Sequence, residues 1–187
     1  MTTFGETQPI ILAFGDSLTA GFGVSSKESY PSKLQSILKE NGYPHKVINA
    51  GVSGDTTAGG LRRVAWLMKQ RPQIVILELG ANDGLRGLPI SEMETNLRKI
   101  IEICEKQNAK VLLVGMKAPP NYGEEYSKEF EITFQKLAKK FQTPLVPFLL
   151  EGVAAKRGYN QGDGIHPTAE GYNIVVKTVW DYLKPML

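Results

Sequence analysis

Five short runs rich in Val, Ile and Leu, each followed by an amphipathic stretch, narrow most sharply what this chain can fold into. They span residues 9–14 (PIILAF), 46–52 (KVINAGV), 74–79 (IVILEL), 111–116 (VLLVGM) and 145–148 (LVPF). A strand with one wet face alternates apolar and polar residues. These runs are mostly continuous, as suits strands covered on both faces of a parallel sheet. Apolar residues recur at helical spacing between and after them. In 30–41, Leu34, Ile37 and Leu38 share a face, Pro31 suits the first turn, and Gly42 suits the C-terminal cap. Leu61, Val64, Ala65 and Met68 mark 56–70, Phe130, Phe134 and Leu137 mark 124–141, and Tyr172, Val175, Val176 and Val179 mark 168–184. A capping box of Ser91 and Glu94 predicts a helix start ahead of Leu97, Ile100, Ile101 and Cys104. This alternation predicts an α/β fold: a three-layer αβα sandwich around a central five-stranded parallel sheet.

The 187 residues favour a single domain over 1–187. The net charge is only +3 and the basic residues are scattered, so no nucleic-acid partner is expected. Cys104 is the sole cysteine, which rules out an internal disulfide and leaves it as a small packed hydrophobe. No apolar run approaches the roughly 20 residues of a membrane span, so no integral membrane association is expected. Residues 1–8 are polar and lack a basic flank leading into an apolar stretch. That points to the cytoplasm, or to the periplasm or secretion if a leader has been removed. A monomer or weak homo-oligomer is the expectation.

In an open α/β sheet, ligands bind beyond the carboxyl ends of the strands. Those positions hold Gly15-Asp16-Ser17, Ser53-Gly54-Asp55, Gly80-Ala81-Asn82-Asp83 and Lys117-Ala118-Pro119-Pro120. A serine hydroxyl becomes a nucleophile only when a base takes its proton and a third group orients that base. Histidine suits the base role, and there are two. His45 precedes the second run, at the wrong edge of the sheet, and reads as a surface loop residue. His166 lies three residues after Asp163, whose carboxylate can curl back to one imidazole nitrogen and leave the other for a serine. Two serines compete. Ser53 resembles the Gly-x-Ser-x-Gly elbow but Asp55 stands where its last glycine belongs. Ser17 follows the first run directly, and Gly15 permits the tight turn that would present it. Asp16, Asp55 and Asp83 admit two readings: a divalent-metal cluster, or, preferred for Asp16 and Asp83, acceptors that brace the turns. No metal and no cofactor are expected.

Four blocks in order give the chain a family resemblance. Gly15-Asp16-Ser17-Leu18, Gly54, Gly80-Ala81-Asn82-Asp83 and Asp163-Gly164-Ile165-His166-Pro167 resemble the conserved blocks of the GDSL, or SGNH, hydrolases. The segments 79–87 and 120–123 look like the bacterial thioesterase I/protease I/lysophospholipase branch and its arylesterase relatives. Ala81 stands where that branch often has glycine. The resemblance implies a flavodoxin-like hydrolase fold and a serine esterase. It implies Ser17 as nucleophile, His166 as base, and Asp163 as the group orienting it. It also implies an oxyanion hole of the Ser17 N–H, the Gly54 N–H and the Asn82 side-chain amide.

The expected substrate is a small acyl ester or thioester, or a lysophospholipid. Leu85, Arg86, Leu88, Pro120 and Tyr122 are the candidate substrate contacts, in loops that either line an acyl trough or simply cap the sheet. Two other functions compete: a carbohydrate O-deacetylase of the same superfamily, and a non-catalytic metal- or ligand-binding module in which Ser17 is inert.

Overall fold

The computed structural model describes residues 8–187, so the polar stretch 1–7 lies outside the described residues. Five parallel strands form one sheet: β1 (Ile10–Gly15), β2 (Lys46–Gly51), β3 (Ile74–Glu78), β4 (Lys110–Val114) and β5 (Leu145–Val146). Their order is β2-β1-β3-β4-β5. The central strands are buried nearly throughout, as continuous apolar runs require. Edge strand β2 is only partly covered.

Seven α-helices belong to the described chain: α1 (Ser17–Ala20), α2 (Tyr30–Glu40), α3 (Thr57–Leu67), α4 (Ala81–Leu85), α5 (Ile90–Lys106), α6 (Glu124–Phe141) and α7 (Ala169–Leu183). Right-handed crossovers sort the long ones. The chain steps from β1 to β2 in one direction and thereafter in the other. Thus α2 packs with α7, while α3, α5 and α6 pack in series on the opposite face. The direction reverses between β1 and β3, which opens a crevice at their carboxyl ends.

Local chemistry sets the helix ends. Thr56 and Thr168 accept the N–H groups of Gly59 and Gly171 and cap α3 and α7. The predicted capping box does not form: Pro89 precedes α5, and Ser91 lies inside its first turn without a capping bond. With Pro89 at the N-cap, α5 begins two residues before the start that the capping box predicts. His45 also departs from expectation. It is buried at the amino edge of the sheet, with Nε2 2.9 Å from Gln73 Oε1. Cys104 packs in the core, where burial pushes its thiol up to about 12.

Candidate active site

Ser17 opens α1 directly after β1. The buried Asp16 caps that helix, its Oδ1 accepting the Leu18 N–H at 3.0 Å. The turn is tight enough that a Cβ on Gly15 would run into the Thr19 hydroxyl and the Glu78 carboxyl. Two buried tyrosines tie the corner to the helix layer. Tyr172 donates to the Leu18 carbonyl at 2.9 Å, and the Tyr30 hydroxyl lies 3.2 Å from Thr19 Oγ1.

His166 reaches Ser17 from the loop before α7. Its Nε2 lies 2.8 Å from Ser17 Oγ, and its Nδ1 lies 2.6 Å from Asp163 Oδ2. Asp163 shapes the loop too, for its Oδ1 accepts the N–H groups of Ile165 at 2.9 Å and His166 at 3.0 Å. The His166 N–H and side chain, together with the Ile165 N–H, hold the Asp163 carboxyl down at about 2. The Phe22 ring packs 4.7 Å from the imidazole. Gln161 fastens the two loops together: its N–H donates to the His166 carbonyl, and its amide donates to the carbonyls of Phe22 and Pro167.

The segments after β2 and β3 bring Gly54 and Asn82 to the same cavity wall as Ser17. The Ser17 N–H is the first of its helix and has no partner within it. Gly54 adopts φ +79, open to glycine without strain, and its carbonyl accepts Arg86 at 2.9 Å. The Asn82 amide donates at 3.0 Å to both Asp16 Oδ2 and the Asp55 carbonyl. The acidic residues at the strand ends do not pool. Asp16 serves Leu18 and Asn82, Asp55 pairs with Arg63 at 2.7 Å, and Asp83 accepts the N–H and hydroxyl of Thr57. Each carboxylate therefore braces its own turn. Among the described residues, no three metal-ligating side chains gather.

Ser17, Gly54, Asn82 and His166 share the wall of a cavity of about 480 Å³. Its apolar side comes from Phe22, Leu85, Met116, Pro119, Phe148 and Leu150. Of the substrate contacts read from sequence, Leu85 lines this cavity. Arg86, Leu88 and Tyr122 do not; Arg86 and Tyr122 work as fastenings, and Leu88 is itself held in place. Arg86 holds Gly54, Tyr122 donates to the Leu85 carbonyl, and Tyr126 donates to the Leu88 carbonyl, each at 2.9 Å. Pro120 opens a short 3₁₀ turn beside them, and its side chain is outside the described part. Sequence reasoning missed Phe22, Gln161, Glu78 and the wall after β5. Phe148 had a usable signal, an aromatic at the carboxyl end of a strand.

A serine, an imidazole and a carboxylate in line at the switch point of a doubly wound sheet make the class a serine hydrolase. The chain belongs to the GDSL-like lipase/acylhydrolase family, whose family model matches residues 13–174. It is 42% identical over 178 residues to esterase TesA of Pseudomonas aeruginosa, covering 95% of this chain and 89% of that protein. It is 38% identical to thioesterase 1/protease 1/lysophospholipase L1 of Escherichia coli K12, covering 95% of this chain and 84% of that protein. The crystal structure of TesA superimposes with a TM-score of 0.92 at 41% identity, covering 95% of this chain and 99% of that one. The protein is accordingly an enzyme acting on ester bonds.

Proposed function

We propose that this enzyme hydrolyses carboxyl esters, acyl thioesters and lysophospholipids through an acyl-enzyme on Ser17. The observation that carries the reading is the line from Ser17 Oγ through His166 to Asp163, 2.8 Å and 2.6 Å, at an apolar cavity. In this reading Ser17 Oγ attacks the carbonyl carbon as His166 Nε2 takes its proton. Asp163, ionised down to about pH 2, holds Nδ1–H and stabilises the imidazolium. The N–H groups of Ser17 and Gly54 meet the oxyanion, joined by one Asn82 hydrogen that turns from the Asp55 carbonyl toward it. His166 then protonates the leaving alcohol or thiol. Water, activated by the same imidazole, releases the acid and restores the serine.

The apolar wall suits an acyl chain better than a hydroxyl-rich sugar, which supports this reading over a carbohydrate O-deacetylase. Every group it uses comes from one chain, so a monomer suffices. The test is hydrolysis of p-nitrophenyl butyrate and of an acyl-coenzyme A by the native protein and by Ser17→Ala. The substitution is expected to cost about 10⁴-fold or more in kcat. Equal rates in the two proteins would overturn the reading. Turnover of the aryl ester without the acyl-coenzyme A would remove thioesters from it.

A further inference from the structure

Three acidic side chains are fully or almost fully buried among the described residues: Asp16, Glu78 and Asp83. Asp83 is matched by Thr57, and Asp16 by Leu18 and Asn82. Glu78, the last residue of β3, has no role in the chemistry above. Its Oε2 accepts the Asp16 N–H at 3.2 Å and the Thr19 hydroxyl at 2.8 Å. Its Oε1 has no hydrogen-bond partner among the described residues. The guanidinium of Arg63, on α3, is taken by Asp55 and by the carbonyls of Ala50 and Gly15.

The two donors that Glu78 holds flank the nucleophile, one residue before Ser17 and two after it. Asp16 in turn holds the Asn82 amide. We propose that Glu78 is a positioning residue: its buried carboxyl sets the pose of the Ser17 turn and, through Asp16, the aim of the Asn82 amide. This rests on the reading of Ser17 as nucleophile and of Asn82 as an oxyanion donor.

The charge states fit that role. Two carboxyls this deep do not both ionise. Burial, then the nearby Asp16 charge, pushes Glu78 well above the usual carboxylate range, so it stays protonated at neutral pH. Burial raises Asp16 to about 6, against bonds from Leu18 and Asn82, the polar Glu78 beside it and the pull of His166. Tyr30 from α2 and Tyr172 from α7 also face the pair, and burial keeps both hydroxyls protonated. At neutral pH the pair therefore carries one charge, on Asp16, where it accepts from Asn82. A neutral, polar Glu78 beside it favours the charged form of Asp16 more than an apolar side chain would. Its loss would raise the Asp16 pKa further.

The test measures kcat, KM and their pH dependence on p-nitrophenyl butyrate, with melting temperature as a check on folding. Glu78→Gln keeps an acceptor and a donor in the same volume, and is expected to retain kcat and the acid limb of the native profile. Glu78→Leu is expected to lose about 10²-fold in kcat with little change in KM, as an oxyanion donor goes out of aim. Its acid limb should also move to higher pH. Thr19→Val removes one donor from the same carboxyl and should give a smaller loss of the same kind. A folded Glu78→Leu or Thr19→Val with native kcat and acid limb overturns the proposal. So does a folded Glu78→Gln as impaired as Glu78→Leu. Ser17→Ala is run alongside: if it stays active, the reading of the site itself fails, whereas an inactive Ser17→Ala beside a fully active Glu78→Leu removes only the role of Glu78.

Discussion

At the residue scale, Asp163 does two jobs with one carboxylate. Oδ1 closes the turn on two backbone N–H groups, and Oδ2 fixes the His166 tautomer. Asp163→Asn keeps the shape of the turn but presents the wrong donor or acceptor to Nδ1. It should cost on the order of 10³–10⁴ in kcat with KM little changed, read by steady-state kinetics. In the proposed mechanism, Asn82→Ala removes one donor from the developing oxyanion and should cost about 10²–10³ in kcat. An Asn82→Ala enzyme with native kcat would show that its amide serves only Asp16 and Asp55. The approach of Ser17, Asp163 and His166 was legible in the sequence because Ser17 directly follows the first apolar run and Asp163 lies three residues before His166. Glu78 was not: in IVILEL it reads as one polar residue in a buried strand, and only the fold brings it against Asp16 and Thr19. His45 misled for the same reason, since its partner Gln73 lies 28 residues away.

Elements turn these residues into a site. Leu85 ends α4 on the cavity wall, and the chain from there to α5 is fastened from outside by two tyrosine hydroxyls, at the carbonyls of Leu85 and Leu88. Each such bond is worth about 1 kcal/mol. Replacing Tyr122 and Tyr126 together by Phe should raise KM several-fold for long acyl esters and leave kcat for a short one nearly native, since neither hydroxyl approaches Ser17. A matching fall in kcat for both substrates would contradict that division. Strand and helix existence followed from apolar spacing, because periodicity reports burial directly. Their ends followed less well. The start of α5 was misplaced because Ser91 and Glu94 have capping chemistry while the backbone at Pro89 decides the turn. The short helices α1 and α4 carry no periodic signal at four and five residues.

For the whole molecule, right-handed crossovers on this sheet order send helices to both faces, and the switch between β1 and β3 is where Asp16, Ser17 and Asn82 meet. That placement has a cost in stability. The folded protein holds a proton on Asp16 that the unfolded chain releases near 3.8, so this contribution is full below 3.8 and lost as pH rises through about 6. At 1.36 kcal/mol per pH unit it amounts to about 3 kcal/mol. Glu78 acts in the same direction, and Asp163 in the opposite one, its contribution present above 3.8 and lost as pH falls through about 2. The melting temperature should therefore peak near pH 4 and decline toward 7, with a shallower decline in Asp16→Asn. A melting temperature that climbs from pH 5 to 7 would contradict this account of the buried pair. The central claim, that Ser17 is the nucleophile set against His166, is tested most directly by covalent labelling. A fluorophosphonate probe, followed by intact mass and peptide mapping, should add one adduct per chain on Ser17 and none to Ser17→Ala. Labelling at Ser53, or equal labelling of Ser17→Ala, would contradict it.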